Sequence, residues 1–273
     1  MAEKQKISGL VPLTYDSRDL HLGRIVKLPE LNELPNIFSL GETIIRNQEK
    51  AGNDDFCTAY STVGMSYLED GVEGSPEWVF AASKEISGDN EAFGQDMRTA
   101  FKTWVKYGSP RKEDVNPPQN PQDRRYLKNY DSSLNGAELK KKTYVTCKGQ
   151  YDAFDNIRAS IWKFKEQKRA VGIGLVFAWP LSSKYLDKYS TRGFGHMMFA
   201  TGWKDDYLET PNSYGREAGD NGKHYVSRET INYFVEKYGA YILIDLDKKT
   251  ARSNQRKYQI RKFFKSLFCL PYD

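Results

Sequence analysis

The chain is short of the residues that most often announce a function. Among 273 residues there are only three cysteines, Cys57, Cys147 and Cys269, and three histidines, His21, His196 and His224. Three thiols cannot staple a disulfide framework, and no pair has the spacing of zinc ligands, so no metal and no cofactor is expected. Long apolar runs are missing as well. The longest, around Ala170 to Leu181, falls short of the roughly 18–20 residues of a membrane span. The opening Met-Ala-Glu-Lys-Gln-Lys leads into no apolar segment. That pattern predicts no secretory signal and, with free thiols, a reducing, cytoplasmic setting. There is no internal repeat.

What is present is an ordinary core-forming composition, 39% hydrophobic with 14% aromatic residues, which excludes wholesale disorder. The net charge of +5 is local. Residues 248–273 hold Lys248, Lys249, Arg252, Arg256, Lys257, Arg261, Lys262 and Lys265 against Asp273 alone, so residues 1–247 are slightly acidic. Basicity therefore belongs to the tail, and there is no strong nucleic-acid or membrane signal from the body.

Periodicity and punctuation divide the rest. Residues 1–36, with Pro12, Pro29 and Pro35, read as an extended arm that wraps the body. Cys57 to about Asp70 suits a buried helix, with Asp54 and Asp55 where N-cap acids belong. Further helices are predicted from Pro76 towards Ile86, from Gln95 to Tyr107 before Gly108, and from Ala153 to Gln167. Residues 110–135 read as a loop or crossing. Strands are predicted at Thr143–Cys147, Val171–Phe177, Met197–Trp203, Lys223–Val226 and Tyr241–Leu246. Helices first and strands later predict an α+β fold, with a helical lobe over about 57–110 and a β-rich lobe over about 143–246.

Two residues have chemical promise in this frame. Cys57 stands at the predicted start of a buried helix, where unpaired N–H groups and the helix dipole favour a thiolate. His196 follows Gly193-Phe194-Gly195 and opens a strand, which can present a ring at the edge of a cleft. His224, in a turn entering a strand, reads as a surface residue, and His21 lies in the arm without an evident partner. A structural role is the commoner fate of a single Cys or His, so composition and periodicity leave the function open.

Local strings narrow it. Arg46-Asn47-Gln48 with Phe56-Cys57-Thr58-Ala59-Tyr60-Ser61 resembles the papain-family segment in which a Gln precedes the nucleophilic Cys. Gly195-His196-Met197-Met198-Phe199-Ala200-Thr201-Gly202-Trp203 resembles the segment that supplies the base. Pro211-Asn212-Ser213-Tyr214-Gly215, with Gly219-Asp220-Asn221-Gly222, resembles that family's Asn-Ser-Trp-Gly element and its trailing turn. The order is Cys, His, Asn, with separations of about 140 and 155 residues from Cys57, near the roughly 130–150 of papain-type enzymes. Asp16, Arg18 and Asp19, then Ser75-Pro76-Glu77, are weaker matches, and Phe93-Gly94-Gln95 falls where the family places a Gly-Gly wall beside the substrate backbone.

The resemblance implies a papain-like α+β fold, with a helical lobe, a β-barrel-like lobe and a cleft between them, over residues 37–246. It implies a peptidase in which His196 takes the thiol proton of Cys57, Asn212 holds the imidazole, and Gln48 with the Cys57 N–H forms the oxyanion hole. Gly94, Gln95 and Gly195 would line the substrate, a protein or peptide. Several positions depart from the family pattern. Gln48 lies nine residues before Cys57 where about six is usual, so an insertion must bulge outward. Asp54 and Asp55 set negative charge beside the thiol. Thr58 and Tyr214 replace tryptophans, and Pro211 removes a backbone donor. No long inhibitory pro-segment of the secreted-cathepsin kind is evident.

These departures keep two alternatives in view. One is a catalytically weak or inactive relative serving as a structural or binding component of a larger assembly, such as a viral particle. The other is acyl transfer or deamidation on a protein side chain. In the tail, residues 247–273, Ile260, Phe263, Phe264, Leu267 and Phe268 repeat as i, i+3, i+4, i+7, i+8. That stripe is expected to pack on the chain's own body or on a partner subunit, with a membrane-surface or nucleic-acid contact as the alternative.

Overall fold

The computed structural model describes residues 9–12, 16, 18–88, 93–115, 139, 141, 143–178, 181–187 and 193–267. Three helices come early. Helix α1, Cys57–Asp70, ends at Gly71, whose positive φ of 67° closes the last turn through a Gly71 N–H bond to the Tyr67 carbonyl. Helix α2, Pro76–Ser87, starts with proline in its first position and the Ser75 hydroxyl accepting the Trp78 N–H at 3.2 Å. Helix α3, Met97–Lys106, is capped by Asp96, which accepts the Thr99 N–H at 3.0 Å. Helices α4, Ala153–Lys163, α5, Arg228–Tyr238, and α6, Lys248–Leu267, follow among the strands.

The expected cap of α1 is a correction. Its N-cap is Phe56 and no side chain caps it. The Asp55 carboxylate instead accepts the Gly94 N–H at 3.1 Å, across the chain rather than along it. The strand expected over Met197–Trp203 is also divided: β5 runs Phe194–Ala200 and β6 runs Gly202–Lys204.

Among the described residues nine strands form two sheets. One has the order β1 (Ile37–Ser39), β6, β7 (Tyr207–Pro211), β8 (Lys223–Ser227) and β4 (Tyr185–Leu186). The other has the order β2 (Thr143–Thr146), β9 (Ala240–Ile244), β3 (Val171–Phe177) and β5. Between these strands the pairings are antiparallel except β4 with β8. The sheets meet where β5 passes through Thr201 into β6, and among the described residues they close no barrel. The fold is thus α+β, as the element order predicts.

The core lies where α1 and α3 press on β3 and β5. A Cβ on Gly64 of α1 would stand 2.7 Å from the Phe199 ring of β5, so only glycine allows this approach. A Cβ on Gly172 of β3 would meet Phe101 of α3 at 2.9 Å. The Ser61 hydroxyl of α1 then donates to the Met197 carbonyl of β5 at 2.7 Å. This close helix–strand contact brings the first turn of α1 to the residue after His196.

Residues 18–40 run along the sheets: the Thr146 N–H donates to the Leu20 carbonyl, and β1 pairs with β6. The start of α6 rests on the same segment, with Ala251 buried and the His21 N–H donating to Gln255 Oε1 at 2.9 Å. Of the apolar stripe expected further along, Ile260 is 55% exposed, and the side chains of Phe263, Phe264, Leu267 and Phe268 lie outside the described residues, as does most of the 110–135 loop. Among the described residues no helix is long and apolar enough to cross a membrane.

Candidate active site

Cys57 is the first residue of α1 and its side chain is fully buried. The Met197 N–H points to its sulfur at 3.4 Å, so the nucleophile candidate touches the strand that carries His196. Burial pushes the Cys57 thiol up to about 12; the Met197 N–H opposes the shift and the Asp55 carboxylate adds to it. Desolvation at Cys57 outweighs the pull of the helix start towards a thiolate.

His196 is 1% exposed and held between rings. The Tyr214 ring stacks on it, with centroids 4.7 Å apart and planes inclined by 27°, and Phe177 meets it edge-on at 5.4 Å. Asn212 lies just before Tyr214, buried, with Nδ2 donating to the Gly222 carbonyl at 2.9 Å and Oδ1 accepting the Tyr214 N–H at 2.6 Å. The Asn212 side chain thus bonds to the backbone of Tyr214, whose ring stacks on His196.

Gln48 is fully buried beside the same loop. Its Oε1 accepts the Ser213 hydroxyl at 2.5 Å, and its Nε2 donates to the carbonyls of Asp54 at 2.8 Å and Asn53 at 3.3 Å. The long spacing to Cys57 is absorbed by a turn closed by the Asn53 N–H on the Gln48 carbonyl, with residues 49–51 exposed. The insertion bulges outward and the Gln48 side chain faces inward.

The residues read as a substrate wall are occupied by the chain itself. Segment 9–11 lies across the thiol: a Cβ on Gly9 would sit 2.7 Å from Cys57 Sγ and 3.1 Å from the Asp55 carbonyl oxygen. The Leu10 N–H donates to the Gly195 carbonyl, the Gln95 N–H to the Gly9 carbonyl, and the Val11 N–H to the Gln95 carbonyl, each at 3.1 Å. Leu10 pairs with Gln95 in parallel sense. The Leu10 side chain is 2% exposed and lies over Gly174 of β3 beside Tyr238 of α5. Gly94 closes the wall from behind, its carbonyl accepting from Lys84 Nζ at 2.6 Å. Sequence reasoning missed Gly9, Leu10, Gly174 and Tyr238. Nothing local marks them, because their roles arise from contacts between distant segments.

The structure thus sets Cys57 against the residue after His196, Tyr214 on the His196 ring with Asn212 beside it, Gln48 against Ser213 and Asp54, Gly94 against Asp55, and Gln95 and Gly195 against segment 9–11. His224 is a correction: it is fully buried, with Nδ1 against the Ser183 carbonyl at 2.7 Å. A carbonyl only accepts, so Nδ1 carries the proton. Burial holds the His224 pKa below 6.5, with the Ser183 bond opposing. Its contribution to stability is therefore present above the unfolded value and lost as pH falls below it. The urea midpoint is expected to drop between about pH 7.5 and 5.5 in the wild-type chain, and to drop less in His224→Gln.

No protein-family model matches the chain, and no curated protein does. Solved structures do, and they define the fold as that of the papain-like cysteine proteases. Xylellain, a cysteine protease from Xylella fastidiosa, is 16% identical, covers 90% of this chain and 99% of its own, and superposes with a TM-score of 0.64. Procathepsin B from Trypanosoma congolense is 15% identical over 86% of this chain and 82% of its own, with a TM-score of 0.57. Bromelain from Ananas comosus, solved with the E64 inhibitor, is 14% identical over 77% of this chain and 99% of its own, with a TM-score of 0.55.

Proposed function

We propose that this chain is a papain-like cysteine peptidase that hydrolyses peptide bonds through Cys57, His196 and Asn212, held latent by its own residues 9–11. The observation that carries this reading is that an extended stretch of polypeptide already lies over Cys57 Sγ, bonded through its backbone to Gln95 and Gly195. A wall that takes one extended strand by main-chain hydrogen bonds accepts others by the same means. Substrate in this cleft is a protein or peptide, with a bulky aliphatic side chain replacing Leu10 over Gly174.

With the segment displaced, water reaches the thiol and the desolvation that disfavours its anion is relieved. His196 then takes the Cys57 proton, and the thiolate attacks the scissile carbonyl carbon. The Cys57 N–H and Gln48 Nε2 stabilise the oxyanion, the longer Gln48 contact to Asn53 being the one exchanged for substrate. His196 returns its proton to the leaving amine, and a thioester remains on Cys57. A water molecule, deprotonated by His196, cleaves the thioester and restores the thiol. Asn212 and Tyr214 keep the imidazole plane fixed throughout. Gln48→Ala is expected to lower kcat by roughly 10²–10³, as loss of one oxyanion donor does.

The domain limits that go with this reading are an arm over 1–36, the peptidase unit over 37–246 and the tail over 247–273. Incubation of the full chain with a peptide panel and an epoxide thiol inhibitor tests the activity. The expected result is slow cleavage and a single inhibitor adduct on Cys57, absent from Cys57→Ala. Inertness of both the wild-type chain and a variant freed of the Leu10 contact favours the second reading, an inactive papain-fold component of a larger assembly. The deep burial of the thiol is the observation on that side.

A further inference from the structure

Away from the thiol, residues 21–30, the turn at 148–150 and the outer face of α6 line a half-open hollow of about 930 Å³. That volume lies within the range of small-molecule sites. Its walls carry five permanent cations, Arg24, Lys27, Lys148, Lys257 and Arg261, against one carboxylate, Glu30. Glu30 is itself engaged, accepting from the Tyr151 hydroxyl at 3.0 Å. The five cations come from three segments remote in sequence, so the fold and not a local charge run brings them together.

None of the five forms an ion pair among the described residues. Buried cations elsewhere do: Arg98 with Asp19 at 2.6 Å, Lys141 with Asp70 at 2.8 Å, and Arg169 with Glu69 at 3.0 Å. Uncompensated like charges around one concavity repel one another, and they raise the local concentration of anions. His21, on the same wall, reports that field. Burial lowers its proton affinity first, and Arg24 and Lys148 lower it further.

The cavity is also shaped. Gly23 donates to the Lys148 carbonyl at 2.9 Å, and a Cβ on Gly23 would lie 2.7 Å from Gly149 Cα, so two glycines let the walls close. Ile25 and Leu28 give an apolar floor. The Tyr258 ring stands at the rim, 42% exposed, and the amides of Gln150 and Asn254 add polar groups that can bond to oxygen. Asn254 also donates to the Ile25 carbonyl at 3.4 Å, which seats α6 over the opening.

We propose that this cavity is a binding site for a small, multiply charged phosphate compound, held by Arg24, Lys27, Lys148, Lys257 and Arg261. Arginine supplies paired donors to phosphate oxygens and lysine supplies point charges. A concave site lined from three directions suits a compact anion, where a flat basic stripe would suit a polymer or a membrane. The site shares no residue with the cleft, so its occupancy can be tested whether or not the chain hydrolyses peptides.

Titration calorimetry of the full chain with inorganic pyrophosphate, and with inorganic phosphate alongside, tests the proposal. The expected result is saturable one-to-one binding of pyrophosphate, at least roughly tenfold tighter than phosphate. Arg24→Glu with Lys257→Glu is expected to weaken it by at least roughly tenfold, while Lys102→Glu on α3 leaves it unchanged. Both variants should keep the wild-type circular dichroism spectrum, since the side chains of Arg24 and Lys257 form no ion pair among the described residues. Absence of saturable pyrophosphate binding, or equal loss in Lys102→Glu, overturns the proposal. So does tight binding to duplex DNA or anionic vesicles that pyrophosphate fails to displace.

Discussion

Replacing Leu10 by aspartate is expected to raise the rate at which an epoxide inhibitor labels Cys57 by roughly tenfold to a hundredfold. The leucine side chain is buried over Gly174 and beside Tyr238, and it is the main apolar anchor of the segment that covers the sulfur. Burial of such a side chain is worth about 1.5–3 kcal/mol, and about 1.4 kcal/mol shifts an equilibrium tenfold. An unpaired carboxylate in that pocket adds a desolvation cost of its own. Gly9→Ala gives an independent check, because its Cβ would meet both the sulfur and the Asp55 backbone. It should also speed labelling. Inhibitor mass shift against time, with circular dichroism to show an intact fold, reads both. Unchanged labelling in two folded variants would mean the segment does not guard the thiol.

The second large effect is expected in the released background. There, His196→Ala should lower peptide cleavage by about 10²–10⁴, the usual contribution of a positioned general base. Cys57→Ala should abolish both cleavage and the adduct. The two losses should not add, since the thiolate and the imidazolium act as one pair. Measurement of kcat/KM for the double and single variants checks this. A His196→Ala variant that cleaves as fast as its parent would remove the base from the mechanism.

Much of this site was legible in the sequence because its parts are local strings. Gln48, Cys57, His196 and Asn212 each sit in a short run whose residues resemble one family, and their order along the chain could be read directly. The helix start at Pro76 was legible for the same reason, since caps are set by neighbours within one turn, and the next, expected from Gln95, falls two residues later at Met97. Helix α5 was available and overlooked. Ser227 accepts the Thr230 N–H, and Ile231, Phe234, Val235 and Tyr238 form its buried stripe.

What could not be read depends on contacts between distant segments. Asp55 looks like a helix cap by position, yet its carboxylate serves Gly94. His224 looks exposed in a turn before a strand, yet the segment at Ser183–Leu186 covers it through the parallel β4–β8 pairing. Strand β1, three residues long, exists because the edge of β6 is there to receive it. The segment at Gly9–Val11 carries no periodicity of its own; it is ordered by Gln95, Gly195 and the hollow over Gly174.

The central claim is that Cys57, once uncovered, ionises against His196. The pH dependence of Cys57 alkylation in Leu10→Asp, with and without His196→Ala, measures this directly. With His196 in place, the account requires rapid alkylation already at neutral pH. With His196→Ala, it requires a single rise near the ordinary thiol value of about 8.5. Identical profiles, both rising only in alkali, would contradict it.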